Sequence, residues 1–128
     1  MRSSEKALTI GKLADEKKAK EVLLLYLSEL TDIAEFFVLA SGTSERHVRT
    51  VADGVQTGMK EKGILPISTE GYDEGRWIIL DYGDVVFHTF LESLRELYDL
   101  ESLWIEAPKY KTDEENKILG VEDAEGKA

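Results

Sequence analysis

The chain has 128 residues, of which 42% are hydrophobic and 33% charged, and its formal net charge is −10. These proportions are typical of one globular domain and exclude a disordered chain. No apolar run reaches the roughly 20 residues that cross a bilayer, and neither an apolar signal-peptide core nor a cysteine is present, so we expect a cytoplasmic protein without disulfides or thiolate-bound metals.

The first half of the chain predicts a helix, two strands and a second helix. Apolar residues at helical spacing predict the first helix over residues 4–18. The runs EVLLLYL (21–27) and FFVLASG (36–42) are nearly continuous, as in strands that are covered on both faces. After the capping candidates Thr43-Ser44, a one-sided apolar pattern predicts a helix that ends near Gly63.

The second half predicts a short strand, a hairpin and a third helix. LPIST (65–69) contains a proline and therefore suits a sheet edge. WIILD (77–81) and VVFHTFL (85–91) are β-prone runs joined by a tight turn, which predicts a hairpin. Leucines at helical spacing then predict a helix over residues 91–99, and an apolar segment follows at 103–105.

The order α-β-β-α-β-β-β-α predicts an α/β (α+β) domain in which one mixed five-stranded sheet is flanked by helices. We expect this single domain to span residues 1–106. Residues 107–128 are acidic and weakly periodic, so we expect them to form a disordered tail.

Negative charge is concentrated in residues 65–106, which carry ten acidic residues and two arginines. Residues 1–64 are balanced, with ten residues of each sign. An acidic surface repels phosphate backbones, so we expect no direct nucleic-acid binding. Solubility alone explains most acidic surfaces, but this one would also attract a basic protein partner.

Asp81 and Asp84 flank the hairpin turn and are candidates for a metal site or an acid–base pair. Mg²⁺ and Ca²⁺ sites need more oxygen ligands than two, and no third ligand stands at a diagnostic spacing. Asp and Gly are also the residues that a tight turn selects for backbone reasons. The pattern therefore favours a turn at the surface over a metal site.

Two other patterns give little support for catalysis. SGTS (41–44) could bind an anion at a helix N-terminus, but it lacks the GxxxxGK[ST] pattern of a phosphate loop, so a helix cap is favoured. His47 and His88 are far apart and no cysteine accompanies them, which is weak evidence for zinc. No GxSxG motif is present. We predict no catalytic residue, cofactor or metal.

Large aromatic residues crowd into the same acidic half of the chain. Trp77, Tyr82, Tyr98 and Trp104 stand among acids, with Tyr72 nearby. Such residues usually belong to a core, but tryptophan and tyrosine among charged residues also mark protein–protein interfaces. Tyr82, at the tip of the turn, is expected to be exposed.

Several collinear motifs resemble the ribosomal silencing factor family, also called the iojap family. The matching stretches are DIAEFFVLASGTSERHV (32–48) and EGYDEGRWIILDYGDVVFHTFLESLRELYDLESLW (70–104). They contain a strand ending in SG before a helix, then EG…GRW, LDYGDVV-H-F and R-x-x-Y-x-L-E-x-LW. The resemblance covers roughly residues 5–106.

This resemblance implies a protein that binds the large ribosomal subunit on the face that joins the small subunit. Family members contact a basic protein there, number fourteen, hinder subunit joining, repress translation when nutrients are short, and are often homodimers. The family fold is similar to nucleotidyltransferases, whose GS turn and D-x-D pair are replaced here by SGTS (41–44) and D81-x-x-D84. We infer that the fold is kept without the transfer chemistry; the alternative is a nucleotide-binding enzyme.

The acidic, aromatic segment is the expected partner-binding site. Alternation along the strand places Trp77 and Ile79 on one side of the sheet, and Ile78 and Leu80 on the other. The predicted contacts are, first, Trp77, Asp81, Tyr82, Asp84 and His88, and second, Glu70, Glu74, Tyr98, Asp99 and Trp104.

Overall fold

The structure is a computed structural model that describes residues 1–126, with side-chain burial described as far as residue 121. Five helices and six strands follow one another in this part of the chain. Their order is α1 (Ser3–Glu16), β1 (Lys20–Tyr26), β2 (Phe36–Gly42), α2 (Glu45–Glu61), β3 (Ser68–Glu70), β4 (Trp77–Asp81), β5 (Val85–Leu91), α3 (Glu92–Tyr98), α4 (Leu100–Leu103), β6 (Lys109–Tyr110) and α5 (Glu115–Gly126). Within residues 1–126, no helix is long and apolar enough to span a membrane.

The strands form one mixed sheet in the order β3-β4-β5-β2-β1-β6. The central strands β2 and β5 are parallel, and every other neighbouring pair is antiparallel. The predicted fold class is confirmed, and so is the hairpin of β4 and β5. The sheet has six strands where five were predicted, because the two-residue β6 pairs with β1.

The apolar patterns explain the best-predicted elements. All seven residues of β2 are buried, as expected for a central strand covered on both faces. Helix α2 buries a single row of side chains against the sheet (Val48, Val51, Ala52, Val55 and Met59). Its N-terminus is capped by Ser44, whose Oγ accepts a hydrogen bond from the His47 N–H at 3.0 Å.

The two faces of the sheet are covered differently. Helices α1, α2 and α5 belong to a core on one face, which contains Val38, Ile78, Leu80 and Phe87. The opposite face buries a smaller cluster that includes Phe37, Leu39 and Phe90. Trp77 and Ile79 of β4 pack against it, as do Leu94, Leu100 and Trp104 of the segment 92–107. We call the first the helix-covered face and the second the open face.

Residues 108–126 differ from the expected disordered tail, whose last two residues, 127–128, lie outside the described part of the chain. Tyr110 pairs with Leu24 of β1, and α5 packs against α1. Ile118 is fully buried in the helix-covered core. The expectation failed because Ile118 stands among charged residues, so the stretch shows little apolar periodicity.

Candidate partner-binding face

The strand register gathers several predicted contact residues in rows on the open face. Glu70 of β3 pairs with Ile79 of β4, which pairs with His88 of β5. Trp77 pairs with Phe90 in the next row. The predicted alternation is confirmed, because Ile78 and Leu80 lie in the opposite, helix-covered core.

Trp77 is the centre of this face. Its indole Nε1–H donates a hydrogen bond to His88 Nδ1 at 3.1 Å. Its ring centroid lies 5.2 Å from that of Phe90 and 5.0 Å from that of Tyr98. Each such aromatic pair contributes about 0.5–1.5 kcal/mol beyond area burial. Trp77 is therefore held in one orientation while part of its ring stays accessible.

Four of the ten predicted contact residues line one shallow cleft of about 360 Å³ beside Trp77. Glu70 and Glu74 contribute carboxylates, and Trp77 and Tyr98 contribute ring surface. Tyr98 is 53% exposed although its ring packs against Trp77. Arg76 also lines the cleft, which thus combines aromatic surface with two carboxylates and one guanidinium.

His88 lies beneath these residues and is buried. Burial lowers its pKa to about 4, although the nearby Asp81 charge acts in the opposite direction. The ring is therefore neutral at pH 7, with Nδ1 accepting from Trp77. Within the described residues, Nε2 is buried without a hydrogen-bond partner. His88 supports Trp77 from below and offers little surface of its own.

Asp99 and Trp104 belong to the segment that crosses the open face after β5. Asp99 has a left-handed backbone (φ +40°) between α3 and α4, and its carboxylate accepts from the Ser102 N–H at 3.3 Å. The Trp104 ring packs edge-on against Phe37, with centroids 6.1 Å apart. Both residues therefore lie near the open face, Asp99 exposed and Trp104 half-buried.

The turn between β4 and β5 is not the docking tip that the sequence suggested. Tyr82 is only 5% exposed and packs in the helix-covered core, where burial raises its pKa to about 12. The Asp81 carboxylate accepts from the Gly83 N–H at 2.7 Å. The expectation of an exposed Tyr82 is wrong, because the turn continues the alternation of β4 and directs this residue to the side of Leu80.

Asp84 is bound to the first helix. Its carboxylate accepts from Ser3 Oγ at 2.6 Å and from Lys6 Nζ at 2.7 Å. Partial burial raises the pKa of Asp84, but the hydrogen bonds from Lys6 and Ser3 outweigh it and hold the pKa below its usual value. Asp84 therefore links α1 to the turn, which is a structural role.

The outward side of the segment 92–107 carries exposed apolar residues that the sequence pattern did not predict. Leu97, Leu103 and Ile105 are each at least 70% exposed, whereas Leu94, Leu100 and Trp104 pack inward against the open-face cluster. Leucine spacing alone predicted a core-facing helix. The signal available in the sequence was the density of apolar residues, which is higher than one helical face can bury.

Among residues 1–126, no three His, Asp or Glu side chains are grouped as a metal site would require. The structure therefore defines a small α+β domain with one helix-covered face and one partly covered, aromatic and acidic face. The family model described as "Ribosomal silencing factor during starvation" matches residues 1–127, and the chain belongs to this family.

Individual relatives agree with this assignment. A ribosomal silencing factor of Chromobacterium violaceum is 39% identical over 99 residues, which cover 74% of this chain and 81% of the relative. A crystal structure of a protein from the same organism has a TM-score of 0.79 and 35% identity, and covers 81% of this chain and 87% of that one. A mouse protein named "Mitochondrial assembly of ribosomal large subunit protein 1" is 28% identical over 122 residues, covering 87% of this chain and 54% of the relative.

Proposed function

We propose that this chain acts in the cytoplasm as a ribosomal silencing factor that binds the large ribosomal subunit on the face that joins the small subunit. The bound domain would occupy a surface that the small subunit needs, and translation would fall under nutrient limitation. Membership of the silencing factor family supports this proposal, and the name of the mouse relative associates that protein with the large subunit. Occupancy alone suffices, so no covalent step is required.

The observation that carries the proposal is the exposed apolar surface beside the open face. Leu97, Tyr98, Leu103 and Ile105 are all exposed on one short segment. Exposed apolar groups concentrated in this way mark interaction surfaces when polar residues surround them. The sheet behind them is rigid and β-paired, so the surface is held in a fixed shape.

The charge of this region indicates the chemistry of the partner. Glu70 and Glu74 line the cleft with Trp77 and Tyr98, and residues 65–106 carry ten acids against two arginines. A basic protein suits such a surface, and protein number fourteen of the large subunit is the proposed contact. Binding should weaken as salt is raised, because screening reduces the attraction between exposed charges.

The alternative function, a nucleotide-binding enzyme, would need the SGTS turn (41–44) to bind an anion, and the contacts of this turn give that role little support. The Thr43 N–H donates to His47 Nδ1 at 3.0 Å, and Ser44 Oγ accepts from the His47 N–H at 3.0 Å. The SGTS turn therefore uses these groups to close the start of α2, as the helix-cap interpretation predicted. Thermal shifts with the four nucleoside triphosphates and Mg²⁺ would detect binding through a raised melting temperature.

We also propose that in the free protein a second copy covers part of the same apolar surface, which gives a homodimer. Leu103 and Ile105 would then be shielded from water until the large subunit replaces the second copy. Sedimentation equilibrium of the free protein, with and without a Leu103→Glu substitution, tests this idea; a monomer at high concentration would refute it.

Co-sedimentation with purified large subunits tests the proposed site. Tyr98→Ala should lower the affinity about tenfold, because it removes an exposed ring that packs against Trp77 at the centre of the face. Ile67→Ala is the matched control, because Ile67 is also exposed, at 74%. Alternation along β3 places Ile67 on the same side as Thr69, which pairs with Leu80, and therefore toward the helix-covered face. Equal affinity of the two variants would exclude the open face as the docking site.

A further inference from the structure

The guanidinium of Arg95 is buried on the inner side of the segment 92–107, whose outer side carries the exposed apolar residues. The Arg95 side chain is only 6% exposed. Its Nε donates to Glu101 Oε1 at 2.8 Å, and its Nη1 donates to the Glu21 carbonyl oxygen at 2.6 Å and to Ser41 Oγ at 2.9 Å. A planar guanidinium can serve several fixed acceptors at once, which an ammonium cannot do.

These contacts bring distant parts of the chain to one point. Arg95 lies on α3 and Glu101 on α4, so their ion pair bridges the bend at Asp99. Glu21 has a left-handed backbone (φ +49°) at an irregularity of β1, where its carbonyl meets the guanidinium. Ser41 is near the end of β2. Arg95 thus ties the bend to β1 and β2 by hydrogen bonds, in addition to the apolar packing of Leu94, Leu100 and Trp104.

Residues that hold the bend alternate along this segment with residues that present aromatic rings on the open face. Arg95, Tyr98, Glu101 and Trp104 follow one another at intervals of three residues. Arg95 and Glu101 form an ion pair in which the guanidinium is buried and the carboxylate is partly exposed. Tyr98 and Trp104 place their rings against Trp77 and Phe37 on the open face. Any rotation of the bend would move both rings together.

We propose that Arg95, through its ion pair with Glu101, is a positioning residue that holds Tyr98 and Trp104 in the orientation in which the large subunit binds them. This inference rests on the proposed function. Burying the Arg95 guanidinium costs desolvation free energy, so its ion pair with the partly exposed Glu101 is a poor device for stability alone. Its directional hydrogen bonds fix the angle between two short helices, which apolar packing specifies less strictly.

The test compares Glu101→Gln with Glu96→Gln. Both variants remove one negative charge from the same segment, so long-range attraction to a basic partner changes equally. Glu96 is exposed, and its side chain makes no hydrogen bond or ion pair among the described residues. Glu101→Gln should lower the affinity for large subunits about tenfold, and Glu96→Gln less than twofold.

Amide hydrogen exchange of the free protein supplies a readout that general destabilisation would not reproduce. In Glu101→Gln, the Ser102 and Trp104 amides, which donate to Asp99 and Leu100 carbonyls, should exchange at least tenfold faster. Amides of β5 should keep their wild-type rates, because local opening leaves the rest of the sheet intact.

The results distinguish failure of the proposed function from failure of the positioning role of Arg95. If wild-type protein does not sediment with large subunits, the proposed function and this inference both fail. If wild type binds but Glu101→Gln binds as well as Glu96→Gln, the positioning role is refuted while the proposed function stands. Faster exchange throughout the sheet in Glu101→Gln would show a merely structural role and would also refute the inference.

Discussion

Replacing Asp84 by asparagine separates a structural role of the hairpin turn from a docking role. The substitution removes the charge that accepts hydrogen bonds from Ser3 and Lys6 at 2.6 and 2.7 Å. A hydrogen bond to a charged group contributes about 1.5–3 kcal/mol. Because the Asp84 side chain is 29% exposed, solvent screening reduces the loss, and we expect Asp84→Asn to cost about 1–2 kcal/mol of the free energy of unfolding.

The pH dependence of this loss has a definite sign. The folded-state pKa of Asp84 is lower than its ordinary value of 3.8, so the unfolded chain binds a proton more readily. The stabilisation is fully present above pH 3.8 and is lost as the pH falls through the folded-state pKa. Wild type and Asp84→Asn should therefore differ at pH 7 and converge in strong acid.

Urea unfolding of both proteins at pH 7 and at several acidic pH values measures this difference. Co-sedimentation with large subunits at pH 7 is the accompanying assay, and there Asp84→Asn should bind like wild type once folded. A variant with unchanged stability but weaker subunit binding would refute the account, because Asp84 would then be a contact and not a fastener of α1.

Three further outcomes follow from buried groups. Tyr82→Phe should leave the free energy of unfolding unchanged or raise it by up to about 1 kcal/mol, because the phenol oxygen is buried without a partner among the described residues; a loss above 1 kcal/mol in urea unfolding would contradict this. Followed by NMR, the His88 ring should titrate near pH 4, where burial places its pKa; a titration midpoint near pH 6.5 would mean that the ring is solvated. The free energy of unfolding should fall as the pH drops from 6.5 toward 4, since only the unfolded chain gains the proton in that range. Ile118→Ala should cost about 2–4 kcal/mol through a core cavity, whereas a disordered C-terminal segment would show no change.

Elements with strong local patterns could be predicted from the sequence alone. The bounds of β2, β4 and β5 follow from apolar runs that end at turn residues, and the Ser44 cap and apolar row determine α2. The side of the sheet that Trp77 occupies followed from alternation. The same alternation, continued one residue past Asp81, places Tyr82 on the side of Leu80. Its position in a tight turn had instead led to the prediction that Tyr82 is exposed.

Contacts between distant parts of the chain could not be predicted. The partners of Asp84 precede it by 81 and 78 residues, and Arg95 contacts Ser41 across 54 residues. No local periodicity records such pairings. Strand β6 has only two residues, which is too short for any pattern, and its pairing depends on the edge that β1 provides.

The joining of ribosomal subunits in the presence of this protein is the decisive measurement of the proposed silencing activity. Purified small and large subunits are mixed with increasing amounts of the protein, and the fraction of joined ribosomes is read from sucrose gradients. We expect joined ribosomes to decrease as the protein saturates the large subunit, and Tyr98→Ala to require about tenfold more protein for the same effect. An unchanged fraction of joined ribosomes under a large excess of wild-type protein would contradict the proposed silencing activity.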